Sequence, residues 1–304
     1  MNKTADKKRP PLSTLYRLSP AGHIIAAVSA ALILLHLLTR DDHALMVWAS
    51  ERLVRPVHRA LAVLNDHLPL SVAELLIGLA VITVLVYIIY TIIKLIRCGG
   101  RLKRLYAAVI NLLAAGLAVY AGFCMLWGVY YYGDDFMTRS GLKNDNISVE
   151  QLETVTEYFA ALVNEYSSQV PRDADGNYVA DRDAILRRSN EVYANIEETL
   201  PCLSGPAVRA KGVHFSRVMS YTDFTGFFFP FTAEANVNTD FPPALFASTV
   251  AHELAHQRGV AKEQEANFAA VLASLEYGDA EYCYSACVLA YTHLGNALYS
   301  ADYD

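Results

Sequence analysis

The sequence predicts a mainly α-helical membrane protein, with three transmembrane helices followed by an exposed α+β domain containing a small β element. Three observations carry this prediction. Charged residues make up only 18% of the 304 residues and apolar types 54%, where a soluble domain averages about 25% charge. The shortage sits in residues 1–133, which hold three runs without Asp, Glu, Lys or Arg: Leu18 to Thr39, Leu75 to Ile93 and Leu105 to Gly133. From Asp134 the composition is ordinary, and between Val213 and Phe231 the apolar pattern turns from helical to β-prone. A net charge of −6 gives no basis for nucleic-acid binding.

Each run is long enough to cross a hydrocarbon core, which takes about 20 residues of helix, and each is apolar all round rather than along one stripe. They predict spans at about 18–39, 75–93 and 105–132. The first is longer than a signal-peptide core, and Leu37-Leu38-Thr39-Arg40 is a poor cleavage site, so it reads as a retained helix. Its His23 and His36 read as helix-packing residues. Trp127, Tyr130, Tyr131 and Tyr132 at the end of the third run read as an interfacial aromatic belt. Lys3, Lys7, Lys8, Arg9 and Arg17 before the first run, and Lys94, Arg97, Arg101, Lys103 and Arg104 between the second and third, predict that both flanks are cytoplasmic. Residues 134–304 are then extracytoplasmic. The amphipathic Ala44 to Leu64 stretch of the first loop reads as lying along the membrane interface.

In the exposed half, Ser148-Val149-Glu150-Gln151 is a capping-box pattern that predicts a helix to about Ser168. Asp173-Ala174-Asp175-Gly176-Asn177 has an early Gly for a calcium loop, and Ala184 stands where a bidentate Glu is needed; it reads as a solvated turn. A second helix is predicted over Arg182 to Thr199, ended by Pro201. Val213, Phe215, Val218 and Phe227 to Phe231 are β-prone. Phe241-Pro242-Pro243 stops that region ahead of a helix from Ala244 to Gly259. Cys283 and Cys287 lie one helical turn apart, which suits a disulfide poorly; a bridge from Cys202 to one of them fits an extracytoplasmic domain. No CxxC pair provides a thiolate metal site.

The chemistry is carried by Thr249-Val250-Ala251-His252-Glu253-Leu254-Ala255-His256, an HExxH pattern. Four residues apart on a helix, His252 and His256 share a face and can reach one tetrahedral ion, for which zinc is the expected metal, one per chain. Glu253 can take a proton from an activated water and pass it to a leaving amine. Gly259 can end the helix in a left-handed conformation and turn the chain back. Lys262 stands where a third histidine would in an HExxHxxGxxH arrangement, and a cation cannot ligate. A carboxylate remains as third ligand, Glu263 or Glu265.

The segment Glu263-Gln264-Glu265-Ala266-Asn267 resembles the later helix of the Glu-zincin metallopeptidases, which supplies their third ligand in an ExxxD or ExxAN-like context. The resemblance implies Glu263 as that ligand, Asn267 as a residue orienting a ligating His, and a zincin-like fold for the exposed domain. Only six residues separate His256 from Glu263, a shorter gap than in most Glu-zincins, which calls for a tight helix-Gly-helix hairpin. Together with the three membrane helices and Phe229-Pro230-Phe231-Thr232-Ala233-Glu234-Ala235-Asn236-Val237-Asn238, the HELAHQRG and EANF blocks are similar to an uncharacterised bacterial family of membrane proteins, a domain of unknown function.

Supporting roles follow by type. Phe227 to Asn238 can be an edge strand that receives an extended peptide, with core packing an equal reading for Phe227, Phe228 and Phe229. Glu234 reads as a solvated strand residue. Tyr221, Tyr291 and His293 are candidate oxyanion donors by type, each fitting a structural role better. The expected function is a membrane-anchored zinc metallopeptidase of the bacterial cytoplasmic membrane, hydrolysing peptide bonds in envelope or secreted proteins or peptides. The alternative is a non-catalytic, zinc-stabilised sensor or scaffold that binds an envelope partner.

Overall fold

The computed structural model describes residues 15–143 and 147–301; Lys3, Lys7, Lys8 and Arg9 lie outside them. The chain divides into two compact units. One comprises residues up to Asp41 together with Leu76–Leu126, the other Asp42–Leu75 together with the chain from Trp127 onward.

The first unit is built from helix α1 (Pro20–Thr39), α4 (Val72–Arg97) from Leu76 onward and α5 (Arg101–Leu126), three helices long and apolar enough to cross a membrane. Helix α4 extends past the charge-free run at both ends. Glu74 falls in its first turn and Lys94 and Arg97 in its last, the arrangement the helix dipole favours. Helices α1 and α5 approach closely at Gly22, where a Cβ would stand 2.4 Å from Asn111 Oδ1. Ser19 donates to Asn111, Asn111 donates to the Tyr87 hydroxyl at 2.8 Å, and His23 Nε2 meets the Tyr106 hydroxyl at 2.9 Å. Small residues and interhelical hydrogen bonds hold apolar helices together where lipid tails remove the hydrophobic drive.

The second unit begins with α2 (His43–Ala49), a π-helical turn Ser50–Val54 and α3 (Arg55–Asp66). The amphipathic stretch Ala44 to Leu64 turns one side inward and leaves Leu45, Trp48, Leu53, Val57 and Leu64 exposed on the other. Met46, Val54, His58, Ala62 and Asn65 are buried within the second unit, and Asn65 donates to the Thr232 carbonyl at 2.8 Å. The aromatic belt is corrected for Trp127 and Tyr130, while Tyr131 stays exposed and Tyr132 half-buried. Helix α5 stops at Leu126, and the 3-10 turn Gly128–Tyr131 follows. Trp127, Val129 and Tyr130 are buried in a cluster with Met46, Val54 and Ala261, because a folded core is available to those rings.

After α6 (Phe136–Ser140), helix α7 (Val149–Ser167) starts at the expected capping box. The single helix expected over Arg182 to Thr199 breaks into α8 (Arg182–Arg188) and α9 (Ile196–Thr199). Ser189 turns its hydroxyl to receive the Ala210 N–H at 3.0 Å, and Tyr193 turns inward to donate to the Ala251 carbonyl at 2.8 Å. The expected strand is also shorter than the β-prone pattern. β1 is Lys211–Val213, and Phe215 and Val218 belong to the exposed turn and short helix α10 (Ser216–Ser220). The hairpin β2 (Gly226–Phe229) and β3 (Glu234–Asn238) completes a sheet of order β1-β3-β2. β1 runs parallel and β2 antiparallel to β3, with Lys211 opposite Asn236 and Phe229 opposite Glu234.

Being central, β3 is wholly buried, so Glu234 is not a solvated residue. Its carboxylate pairs with Lys211 Nζ at 2.6 Å and accepts the Val72 and Ala73 N–H groups at 3.1 and 2.8 Å. Helix α11 (Pro243–Gln257) packs on the sheet, and α12 (Glu263–Tyr277) and α13 (Ala280–Ala301) pack on α11 and on each other. Ala247, Ala251 and Ala255 of α11 and Ala266, Ala269, Ala270 and Ala273 of α12 belong to one core with Phe246, Val250, Leu254 and Tyr282. Small side chains let helices come close. All five cysteines are free, so no bridge joins Cys202 to Cys283 or Cys287.

Candidate metal centre

Helix α11 carries His252 and His256 one turn apart, and Gly259 ends the turn after it at φ +81. A Cβ at Gly259 would also stand 2.8 Å from the Tyr130 ring. That left-handed turn is what returns the chain after so few residues. Glu263, the first residue of α12, thereby faces both imidazoles. Its carboxylate oxygens lie 3.2 Å from His252 Nε2 and 3.6 Å from His256 Nε2. One ligand atom from each of His252, His256 and Glu263 falls within 4.8 Å of the others, a grouping that could hold a metal ion. Glu265 points elsewhere: it accepts the Phe136 N–H at 2.8 Å and lies 3.6 Å from Lys262 Nζ.

The outer nitrogens of both rings are engaged. His252 Nδ1 meets Asn267 Oδ1 at 2.7 Å and His256 Nδ1 meets the Val260 carbonyl at 2.7 Å. Both partners are oxygen acceptors, so each Nδ1 carries the proton and each Nε2 turns a lone pair toward Glu263. Two lone pairs and a carboxylate facing one point repel one another until a cation lies between them. The set of two imidazoles and one carboxylate matches zinc ligation with room for a further ligand.

Glu253 lies on the sheet side of α11, buried, with Oε2 lacking a hydrogen-bond partner. Burial pushes its carboxyl up to about 8. The carboxylate packs against Gly226 at the start of β2, where a Cβ would come within 2.5 Å of Glu253 Oε1. β2 is an edge strand of the sheet, as the peptide-receiving reading of Phe227 to Asn238 requires of part of that segment. A cleft of about 320 Å³ opens beside the histidines, lined by Thr225, Phe241, Thr249, His252, Glu263 and Asn267 among others.

Three participants escape sequence reasoning. Trp127 stands edge-on to His256, ring centroids 5.8 Å apart. His58 is buried beside Trp127, Tyr130 and Phe228, and desolvation lowers its pKa to about 4. Gly226 was legible only as a glycine at a strand end, a common sign of close approach. Of the oxyanion candidates, Tyr221 is 89% exposed and Tyr291 is exposed too. His293 touches the centre at one remove, through Asn267 Nδ2 at 3.3 Å.

The profile of one protein family, described as a protein of unknown function (DUF3810), matches residues 50–304. The chain belongs to the DUF3810 family. The DUF3810 match contains the whole His252–Glu263 grouping, β1 to β3 and two of the three long apolar helices, and begins after α1. No curated protein and no solved structure matches the chain.

Proposed function

We propose that the protein is a membrane-anchored zinc-dependent metallopeptidase with a zincin-like exposed domain, acting on envelope or secreted proteins or peptides from the bacterial cytoplasmic membrane, with that domain extracytoplasmic. The observation that carries this reading is the convergence of His252 Nε2, His256 Nε2 and the Glu263 carboxylate on one point. These three residues would hold one zinc per chain. When bound, zinc supplies Lewis-acid polarisation of a carbonyl and lowers the pKa of water at its open position.

The protein's own groups divide the remaining work. Asn267 and the Val260 carbonyl hold the imidazoles in one tautomer and orientation. Glu253, buried beside the histidines and raised toward neutrality, is suited to take a proton and return it to the leaving amine, since a base is most effective with a pKa near the working pH. The edge of β2 offers main-chain donors and acceptors for an extended peptide, giving sequence-tolerant binding. Glu253→Gln keeps the shape and removes the base. The expected outcome is full metal content with peptide hydrolysis lost by at least about a hundredfold, measured on purified protein with a peptide library. Unchanged hydrolysis by Glu253→Gln would overturn the assigned mechanism.

A further inference from the structure

Between β1 and β2 the chain exposes four large apolar side chains within ten residues. Phe215 is 65% exposed, Val218 60%, Tyr221 89% and Phe224 59%. A patch of this kind marks an interaction surface, and its tether identifies what covers it. Glu74 is the third residue of α4, and its carboxylate accepts the N–H groups of His214 and Phe215 at 3.1 and 2.8 Å. A 26-residue helix rises about 39 Å and a hydrocarbon core is about 30 Å thick, so the first turn of a spanning α4 stands at the water–lipid boundary. The patch is therefore held one hydrogen bond from that boundary.

The tether is repeated along β1. Lys211 Nζ donates to the carbonyls of Asn65 and Leu70 at 2.6 and 3.0 Å, and the Arg209 N–H donates to Asp66 at 3.0 Å. Lys211 at the start of β1 and Arg209 just before it are thus stapled to the residues that lead into α4, and Leu68 and Leu70 in that lead are exposed as well.

We propose that residues 214–224 form an interfacial membrane anchor, with Phe215, Val218, Tyr221 and Phe224 inserted among the headgroups and upper acyl carbons of the bilayer that α4 spans. Aromatic side chains favour that depth, and the exposed Arg217 can meet lipid phosphates. Thr225, next to Phe224, lines the cleft with His252 and Glu263, so one end of the cleft adjoins the proposed anchor. The substrate of the cleft is then a peptide segment held at the bilayer surface. That last step rests on the peptidase reading; the anchor does not.

The test uses the full chain in phosphatidylcholine–phosphatidylglycerol vesicles, with the half-buried Cys98 and Cys202 replaced by Ser. A nitroxide is attached at V218C, at Y221C and, as an aqueous reference in the polar loop, at D175C. At 218 and 221 collisions with oxygen should exceed those with a water-soluble nickel chelate, and at 175 the order should reverse. Labels at 218 and 221 that behave like the one at 175 would overturn the proposal. So would labels shielded from both reagents, the sign of a second copy or another protein on the patch. Neither readout depends on metal or turnover, so failure of the anchor and failure of the peptidase reading are separable.

Discussion

At the scale of single residues, the two histidines act as a pair because their other nitrogens are committed. Asn267 and the Val260 carbonyl fix both rings, so little ordering is left for metal binding to impose. Asn267→Ala should weaken zinc binding about 10–100-fold, read by competition with a chromophoric chelator, while the fold persists. Affinity unchanged in that variant would mean the hydrogen bond at 2.7 Å does not orient the ring. His252, Glu253 and His256 were legible because a four-residue spacing fixes a helical face whatever the tertiary structure. Glu263 and Glu265 are two residues apart and point in different directions, which spacing alone leaves open; the Phe136 N–H that occupies Glu265 comes from a distant part of the chain. Trp127 was misread for a related reason. An aromatic residue after an apolar helix suits a lipid boundary and a protein core equally, and only its neighbour His256 decides.

At the scale of elements, the centre depends on a hairpin of two helices whose turn admits one residue type. Gly259→Ala meets two penalties, a left-handed backbone costing about 1–2 kcal/mol and a Cβ too close to the Tyr130 ring. The variant should show a lower midpoint of thermal unfolding in detergent and reduced metal content, because the turn sets the distance from α11 to α12. A midpoint equal to wild type would show that the turn relaxes freely. Helix α7 was legible to the residue because its capping box is local. The break between α8 and α9 was not, because Ser189 and Tyr193 answer to partners about twenty and sixty residues away. β1 was overestimated because Phe215 and Val218 are β-prone by type yet stand in the open.

At the scale of the whole molecule, three apolar helices were legible from the charge-free runs, whose length and hydrophobicity answer to the solvent rather than to packing. Where the compact units divide was not. Residues 42–75 look like a loop between two spans, yet they belong with the chain from Trp127 onward. The fastening is the buried Lys211–Glu234 pair, which also accepts two N–H groups at the start of α4. Glu234→Ala strands a buried ammonium and should cost about 3–5 kcal/mol, measured by denaturant unfolding in detergent; a loss below about 1 kcal/mol would show that Lys211 finds water instead.

The proposed metallopeptidase function requires that the protein hold zinc at His252, His256 and Glu263. Elemental mass spectrometry of detergent-purified wild type beside His256→Ala, Glu263→Ala and Glu265→Ala tests it most directly. The predicted result is about one zinc per chain in wild type and Glu265→Ala, with the metal lost from His256→Ala and Glu263→Ala. Wild type that stays free of zinc after reconstitution, or zinc retained by Glu263→Ala and lost from Glu265→Ala, would contradict it.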